Sequence, residues 1–210
     1  MGRLPLVALA IVLAVSCQNQ THPVFSPAPS PSPHTAATNA ILQSAEVPAG
    51  LNPCLGSGPI DVYVTALANS DATLAGRESD QWLQLRNVGA QEGAISIFAA
   101  NPSACSTELG ASTSVKAMTS LVARFGDAGE ADRAWSAGFF GFTPPPVGEL
   151  APGIVRGTST GLGISSFTYD RPPVRLACWH RSVFVALVVV SNMDQATFTA
   201  ATAAIDPRLN

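Results

Sequence analysis

The distribution of hydrophobic residues divides the chain into three regions. Residues 4–15 form a run of twelve apolar residues, shortly after the single cation Arg3. A membrane-spanning helix needs about 20 apolar residues, so a run of this length is too short to span and is typical of a secretory signal peptide. Residues 18–45 are rich in Pro and Ser and contain no Asp, Glu, Lys or Arg. From residue 46 onward, apolar residues recur with helical and strand periodicity.

The periodicity of the third region predicts a mixture of helices and strands. Proline 59, followed by Ile60, Tyr63 and Leu67 at helical spacing, predicts a helix that ends near Asn69. Two further helices are predicted over 102–109 and over 194–207. Another helix is predicted to begin after Asp127, because Asp127 and Glu130 have the spacing of a capping box. Strands are predicted over 83–88, 94–99, 115–125, 154–160, 163–169, 174–180 and 183–190.

These elements predict an α+β fold. Tight turns join most of the strands, which favours an antiparallel sheet, and the helices are expected to pack on one face of it. The predicted organisation is a signal peptide over residues 1–16, a lipidated cysteine and disordered linker over 17–45, and one domain over 46–210. The linker is expected to stay unfolded because its few apolar groups cannot offset the entropy of ordering it.

The first region ends in Leu-Ala-Val-Ser-Cys at positions 13–17. This segment resembles the lipobox of bacterial lipoproteins, in which small residues precede a cysteine. The resemblance implies cleavage before Cys17, a diacylglycerol on its sulfur, and stable anchoring where two or more acyl chains are attached. The expected location is the cell envelope, on the extracytoplasmic side of a membrane. The alternatives are an ordinary secreted protein and an uncleaved anchor.

Three cysteines remain in the domain: Cys54, Cys105 and Cys178. An exported domain tends to oxidise its thiols, so one disulfide and one leftover cysteine are expected. Cys54 and Cys105 lie in loop-like contexts and are the favoured pair, whereas Cys178 lies in an apolar strand, where a buried free thiol is ordinary. The sequence by itself leaves the connectivity open.

Charge and motifs exclude several classes of function. The formal net charge is −3 and Lys116 is the only lysine, so the clustered cations that bind nucleic acid are missing. Cys178 and His180 share one face of a strand, but two ligands are fewer than the four of a zinc site, so neither a metal nor a cofactor is expected. His180 is the only histidine after residue 45 and would have to serve any hydrolase triad.

An unusual apolar segment follows the predicted helix that begins after Asp127. Phe139, Phe140 and Phe142 run into three prolines at 144–146. The segment either caps the hydrophobic core or lines a ligand cleft or partner surface, since exposed apolar patches usually mark contacts.

Three segments of the domain occur in a suggestive order. They are Asn-Pro-Ser-Ala-Cys at 101–105, Phe-Gly-Asp-Ala at 125–128 before an alanine-rich helix, and Ala-Cys-Trp at 177–179 before an apolar strand and a last helix. This order resembles the extracytoplasmic sensor domains of mycobacterial serine/threonine kinases and related lipoproteins. The resemblance implies an α+β domain that binds a ligand in a cleft. That family has two disulfides, whereas this domain can form one, and no ligand residue is carried over.

Together, these observations predict a membrane-anchored envelope lipoprotein with a non-enzymatic domain that binds a small molecule or an envelope protein. Two alternatives stay open. One is an envelope hydrolase that uses His180, and the other is a structural envelope lipoprotein.

Overall fold

The computed structural model describes residues 35–148 and 150–210. In this part of the chain, the helices are α1 (Ala37–Ala40), α2 (Ile60–Ala68), α3 (Ala72–Val88), α4 (Ala128–Ala137) and α5 (Gln195–Ile205). The strands are β1 (Asn52–Pro53), β2 (Gly58–Pro59), β3 (Ala90–Ala99), β4 (Ala117–Phe125), β5 (Ile154–Arg156), β6 (Ser166–Arg171), β7 (Val174–Arg181) and β8 (Phe184–Ser191). The predicted signal peptide, Cys17 and most of the predicted linker lie outside the described residues.

The described strands form one antiparallel sheet in the order β1-β3-β4-β8-β7-β6-β5, and β2 also pairs with β3. The predicted α+β class with an antiparallel sheet is therefore confirmed. The strands β4 and β8 lie at the centre, and every residue of β8 is buried. A strand covered on both faces carries a continuous apolar run, which is the pattern of residues 183–190.

Helices cover both faces of the sheet. On one face, α2, α3 and α4 pack over Leu121 and Leu187. On the other face, α1 and α5 pack over Val122 and Val188. The helices were expected on one face only, and α2, α3 and α4 fit this expectation. The second face is covered by α5 and by α1, a helix that was not predicted.

The predicted helix starts after residues 59, 127 and 194 are confirmed. Ile60 is the first residue of α2. The side chain of Asp127 accepts a hydrogen bond from the Glu130 N–H at 2.8 Å, and Asp194 accepts one from the Thr197 N–H at 2.8 Å. Both are N-caps, which satisfy backbone donors that the helix itself leaves free.

The predicted strand over 83–88 is wrong, because these residues form the second half of α3. Asp71 caps this helix by accepting a hydrogen bond from the Leu74 N–H at 2.9 Å. Gly89 ends the helix with a φ of 122°, a backbone conformation that residues with a Cβ atom rarely adopt. The alternation of Leu83 and Leu85 indicated a strand, but Leu83 is 57% exposed and only Leu85 faces the core.

The domain also begins earlier than predicted. The structure places α1 within the predicted linker, and Ala40, Ile41 and Leu42 are buried against the second face of the sheet. The Leu42 N–H donates to the Ser120 hydroxyl at 2.8 Å, and Arg208 donates to the Ile41 carbonyl at 3.0 Å. Residues 40–42 fold onto the domain because, unlike the Pro-rich stretch before them, they offer consecutive apolar side chains to bury.

Candidate functional site

A cavity of about 510 Å³ lies between α2 and the 3₁₀ helix Pro102–Ser106. Its wall is mainly apolar and includes Tyr63, Ala66 and Leu67 from α2, together with Cys54 and Cys105. We call it the disulfide cavity. Its volume is within the range of about 300–1,000 Å³ that is common for small-molecule sites.

A disulfide between Cys54 and Cys105 forms part of the cavity wall, with the two Cα atoms 5.6 Å apart. This confirms the favoured pairing, and Cys178 is free and buried. Cys54 lies in the turn between β1 and β2, where its N–H donates to the Ile97 carbonyl at 2.8 Å. Because Cys105 lies in the 3₁₀ helix that follows β3, the disulfide joins two segments of the cavity wall.

The rim of the disulfide cavity carries an exposed hydrophobic side chain. Leu55 follows Cys54 in the β1–β2 turn and is 92% exposed. Ser106 lines the cavity from the end of the 3₁₀ helix and is also exposed. Both the leucine and the serine therefore line the cavity and are accessible to solvent.

Two buried polar groups lie on α2 and α3, which pack against each other. The Tyr63 Oη and the Glu78 Oε2 have no hydrogen-bond partner among the described residues. Tyr63 is 2% exposed and Glu78 is 1% exposed. Burial raises the pKa of Tyr63, and the charge of Glu78 raises it further. We call these residues the Tyr63–Glu78 pair, and Tyr63 belongs both to the pair and to the cavity wall.

The register of α3 turns the Glu78 carboxyl inward. The residues Leu74, Glu78, Trp82 and Leu85 repeat at helical spacing and are all buried. Burial raises the pKa of Glu78 from 4.5 to about 7, with a smaller contribution in the same direction from Glu108 and an opposing one from Arg77. Desolvation acts in this way because a carboxylate loses more hydration than the neutral acid.

The nearest cation to Glu78 is engaged elsewhere. Arg77 donates to Glu108 at 3.3 Å in a solvent-exposed ion pair. Arg77 therefore lowers the pKa of Glu78 less than burial raises it. A buried carboxyl with a raised pKa, on a helix that packs against a buried hydroxyl with no partner among the described residues, is the kind of arrangement found at functional sites.

The phenylalanines expected to cap the core or face a ligand or partner lie in the hydrophobic core. Phe139 is fully buried, Phe140 is 2% exposed and Phe142 is half-buried against the same cluster. Phe139 and Phe140 meet edge to face at 5.3 Å, and reciprocal backbone hydrogen bonds of 3.0 Å join Phe139 to Phe142. Phe139 and Phe140 are covered by the core, as the core-capping alternative predicts, and offer little surface to a ligand or partner, whereas a contact through the half-buried Phe142 stays a prediction. Phe140 borders only a small cavity of about 100 Å³.

The structure does not bring His180 to a nucleophile. Its Nε2–H donates to the Ser182 carbonyl at 2.8 Å, and its Nδ1 lies 3.7 Å from the Asp132 carboxylate. Within residues 35–148 and 150–210, no hydroxyl or thiol forms a hydrogen bond with this ring. A hydrolase triad needs such a contact between base and nucleophile.

A second groove is larger but more open, and two of its three charged groups, Arg175 and Asp194, are engaged with other residues. It has a volume of about 570 Å³ and includes Lys116, Arg175 and Asp194. Arg175 contacts the Asp170 carboxylate at 2.9 Å, and Asp194 caps α5. The disulfide cavity is the better candidate because its wall is mainly apolar and includes Tyr63, whose buried hydroxyl has no hydrogen-bond partner among the described residues.

Tyr63 belongs to the helical stripe that the sequence predicts, whereas Glu78 is not among the predicted site residues. The signal for Glu78 is its spacing, because it lies four residues after Leu74 and four before Trp82. A charged residue on an apolar stripe is uncommon, but the stripe is visible only when 72–88 is interpreted as a helix.

Two searches of the described residues gave no candidates. No helix in this part of the chain is long and apolar enough to cross a membrane. Likewise, residues 35–148 and 150–210 contain no group of three or more His, Cys, Asp or Glu that could hold a metal ion. Comparison with known proteins found no family model, no curated protein and no solved structure that matches this chain.

Proposed function

We propose that the protein is a lipid-anchored envelope protein whose domain binds a small, mainly apolar ligand in the disulfide cavity, without catalysing a reaction. The observation that carries the binding proposal is an apolar cavity of about 510 Å³ whose wall includes Tyr63, with a buried hydroxyl that has no hydrogen-bond partner among the described residues. Apolar area supplies affinity in such sites, and a few polar groups supply selectivity. The disulfide supports a preformed cavity, which reduces the entropy lost on binding.

The anchoring proposal rests on the sequence of residues 1–17. It is tested by mass spectrometry of the mature protein isolated from cell membranes. We expect an amino terminus at Cys17 that carries acyl chains, and a Cys17→Ser variant that is lost from the membrane fraction. An unmodified Cys17, or a membrane-bound Cys17→Ser variant, would refute lipid anchoring.

The binding proposal is tested with N-phenyl-1-naphthylamine, an uncharged apolar dye that fluoresces in apolar cavities. We expect saturable binding to the protein and at least about tenfold weaker binding to Ser106→Phe, because the new ring occupies the rim of the cavity. Ser103→Phe is the matched control, since Ser103 is exposed on the same 3₁₀ helix but does not line the cavity.

Equal binding by the two serine variants would exclude the disulfide cavity as the dye site. No binding by the unmodified protein would favour a structural role in the envelope. The hydrolase alternative is supported less well because no hydroxyl or thiol of the described residues forms a hydrogen bond with His180. It requires that His180→Ala abolish a measurable hydrolytic activity.

A further inference from the structure

One wall of the disulfide cavity, the β1–β2 turn, is held in place by several contacts. The Cys54 N–H donates to the Ile97 carbonyl at 2.8 Å, and the Ser57 hydroxyl accepts from the Ile97 N–H at 3.2 Å. The turn also packs closely on α2, where a Cβ atom added at Gly56 would lie 2.7 Å from the Ala66 Cβ. This wall is therefore attached to the sheet and to α2 independently of the disulfide.

The other wall, the 3₁₀ helix Pro102–Ser106, has no such attachment, and we call it the flap. Its hydrogen bonds are local, because the Ala104 N–H donates to the Asn101 carbonyl at 3.1 Å and the Thr107 N–H donates to the Ala104 carbonyl at 3.3 Å. In the part of the chain that the structure describes, no hydrogen bond or ion pair joins residues 101–107 to a strand or to α2.

The disulfide is the main contact that holds the flap against the opposite wall. Ala104 is 1% exposed and packs into the core, but its single methyl group buries little apolar area. Pro102, Ser103 and Ser106 are exposed. The bond from Cys105 to the β1–β2 turn therefore determines where the flap lies.

The disulfide is also placed where a thiol can reach it. Both cysteines line the cavity, together with the solvent-exposed Leu55 and Ser106. Cys54 is 7% exposed, whereas Cys105 is only half-buried. Access to sulfur is one of the factors that control thiol–disulfide exchange, so Cys105 is the cysteine that an entering thiolate attacks.

We infer that the Cys54–Cys105 disulfide is a site of thiol–disulfide exchange, and that its reduction by a thiol releases the flap and weakens binding in the disulfide cavity. This inference rests on the proposed binding function and adds a redox control to the same site. The flap supplies Pro102, Cys105 and Ser106 to the cavity wall. A released flap has to be ordered again when a ligand binds, and this cost lowers the affinity.

The exchange is a two-electron reaction in two steps. A thiolate attacks the Cys105 Sγ, the bond between the two protein sulfurs breaks, and Cys54 leaves as a thiolate that takes a proton. A second thiolate then attacks the external sulfur of the mixed disulfide, so the two external thiols leave as a disulfide and Cys105 takes a proton. Oxidation by a disulfide reverses both steps.

The binding test compares the oxidised protein with the same protein kept in dithiothreitol, whose two thiols leave as a cyclic disulfide. We expect N-phenyl-1-naphthylamine to bind at least about tenfold more weakly to the reduced protein, and to regain its affinity after reoxidation. Cys17→Ser and Cys178→Ala are the controls, because they remove the remaining cysteines and should keep the full redox response.

Hydrogen exchange separates release of the flap from unfolding of the domain. We expect the amides of residues 103–107 to exchange at least about tenfold faster after reduction. The amides of Cys54 and Ile97, and those of β4 and β8, should stay protected over the time in which residues 103–107 exchange, because hydrogen bonds outside the flap hold them.

The outcomes separate this inference from the proposed function. A disulfide that stays intact in dithiothreitol, or a reduced protein that binds the dye as tightly as the oxidised one, would overturn the inference. Exchange of β4 and β8 together with residues 103–107 would also overturn it, since the disulfide would then support the whole domain. Failure of the oxidised protein to bind the dye would instead reject the proposed function, while hydrogen exchange would still decide whether reduction releases the flap.

Discussion

The buried carboxyl of Glu78 should make the stability of the domain fall as the pH rises from 5 to 8, and Glu78→Gln should remove this effect. Folding raises the pKa of Glu78 from 4.5 to about 7. Between these two values the folded state binds more protons than the unfolded state, so each increase in pH favours unfolding. Below pH 4.5 the carboxyl is neutral in both states and contributes no penalty.

The size of the effect follows from the two pKa values. A tenfold change in protonation equilibrium is worth about 1.4 kcal/mol, so the full penalty above the folded pKa is roughly 3 kcal/mol. Part of it is already present at pH 5, which leaves a loss of about 2 to 3 kcal/mol between pH 5 and pH 8. For a domain of this size, such a loss lowers the Tm by about 5–10 °C.

This loss is measured by urea unfolding at pH 5 and at pH 8. The fluorescence of the buried Trp135 and Trp179 reports the unfolding transition. We expect Glu78→Gln to have the same stability at both pH values, within about 1 kcal/mol. Asp80→Asn should keep the pH dependence, because it removes an exposed acid from the same helix. The range from pH 5 to pH 8 lies above the range in which Glu92 and Asp194 titrate, because the pKa of each of these carboxyls is lowered.

Two results would refute the reasoning. One is a stability of the unmodified protein that is equal at pH 5 and pH 8, since Glu78 would then not be desolvated. The other is the same decrease in Glu78→Gln as in the unmodified protein, since another group would then carry it.

Three further changes test the fold. Replacing both Cys54 and Cys105 by Ser should lower the urea-derived stability by about 4 kcal/mol, the loop-entropy value for a separation of 51 residues, and a loss under about 1 kcal/mol would contradict a constraining disulfide. Cys178→Ser should cost about 1–3 kcal/mol because it buries an unpaired hydroxyl, and Cys178→Ala is the control. Leu42→Ala should cost about 2–5 kcal/mol, and an unchanged Tm would mean that residues 40–42 do not belong to the core.

The elements that the sequence predicts correctly are those whose signal is local. The apolar runs at 115–125 and 183–190 are long, bounded by turns and buried on both faces. The helix starts after Asp127 and Asp194 depend on a side chain that reaches a backbone N–H three residues later. In each case the residues that determine the structure are neighbours in the chain, so one sequence is sufficient to recognise them.

Helix α3 shows why local signals fail elsewhere. Its sequence is polar on average, and the alternation of Leu83 and Leu85 competes with the helical spacing of Leu74 and Trp82. Tertiary packing decides between these patterns, because the helix buries one stripe against the sheet. The candidate site depends on this helix, so the wrong assignment also concealed Glu78.

The position of the disulfide cavity could not be predicted, because it depends on contacts between distant segments. Its wall combines the β1–β2 turn, α2 and the 3₁₀ helix after β3. The cysteine pair was the one long-range contact with a sequence signal, since two thiols in an exported domain are expected to join. Nothing comparable in the sequence connects Tyr63 with Glu78 or Glu108.

The cost of burying Glu78 is itself an argument for a role in binding. An unpaired buried carboxyl destabilises a fold, and groups that break the local rules of stability concentrate at functional sites. Glu78→Leu would continue the apolar stripe of Leu74 and Trp82, so we expect it to stabilise the domain at pH 8 by about 1–3 kcal/mol. A Glu78→Leu variant whose stability at pH 8 equals that of the unmodified protein would show that the buried carboxyl carries no desolvation penalty.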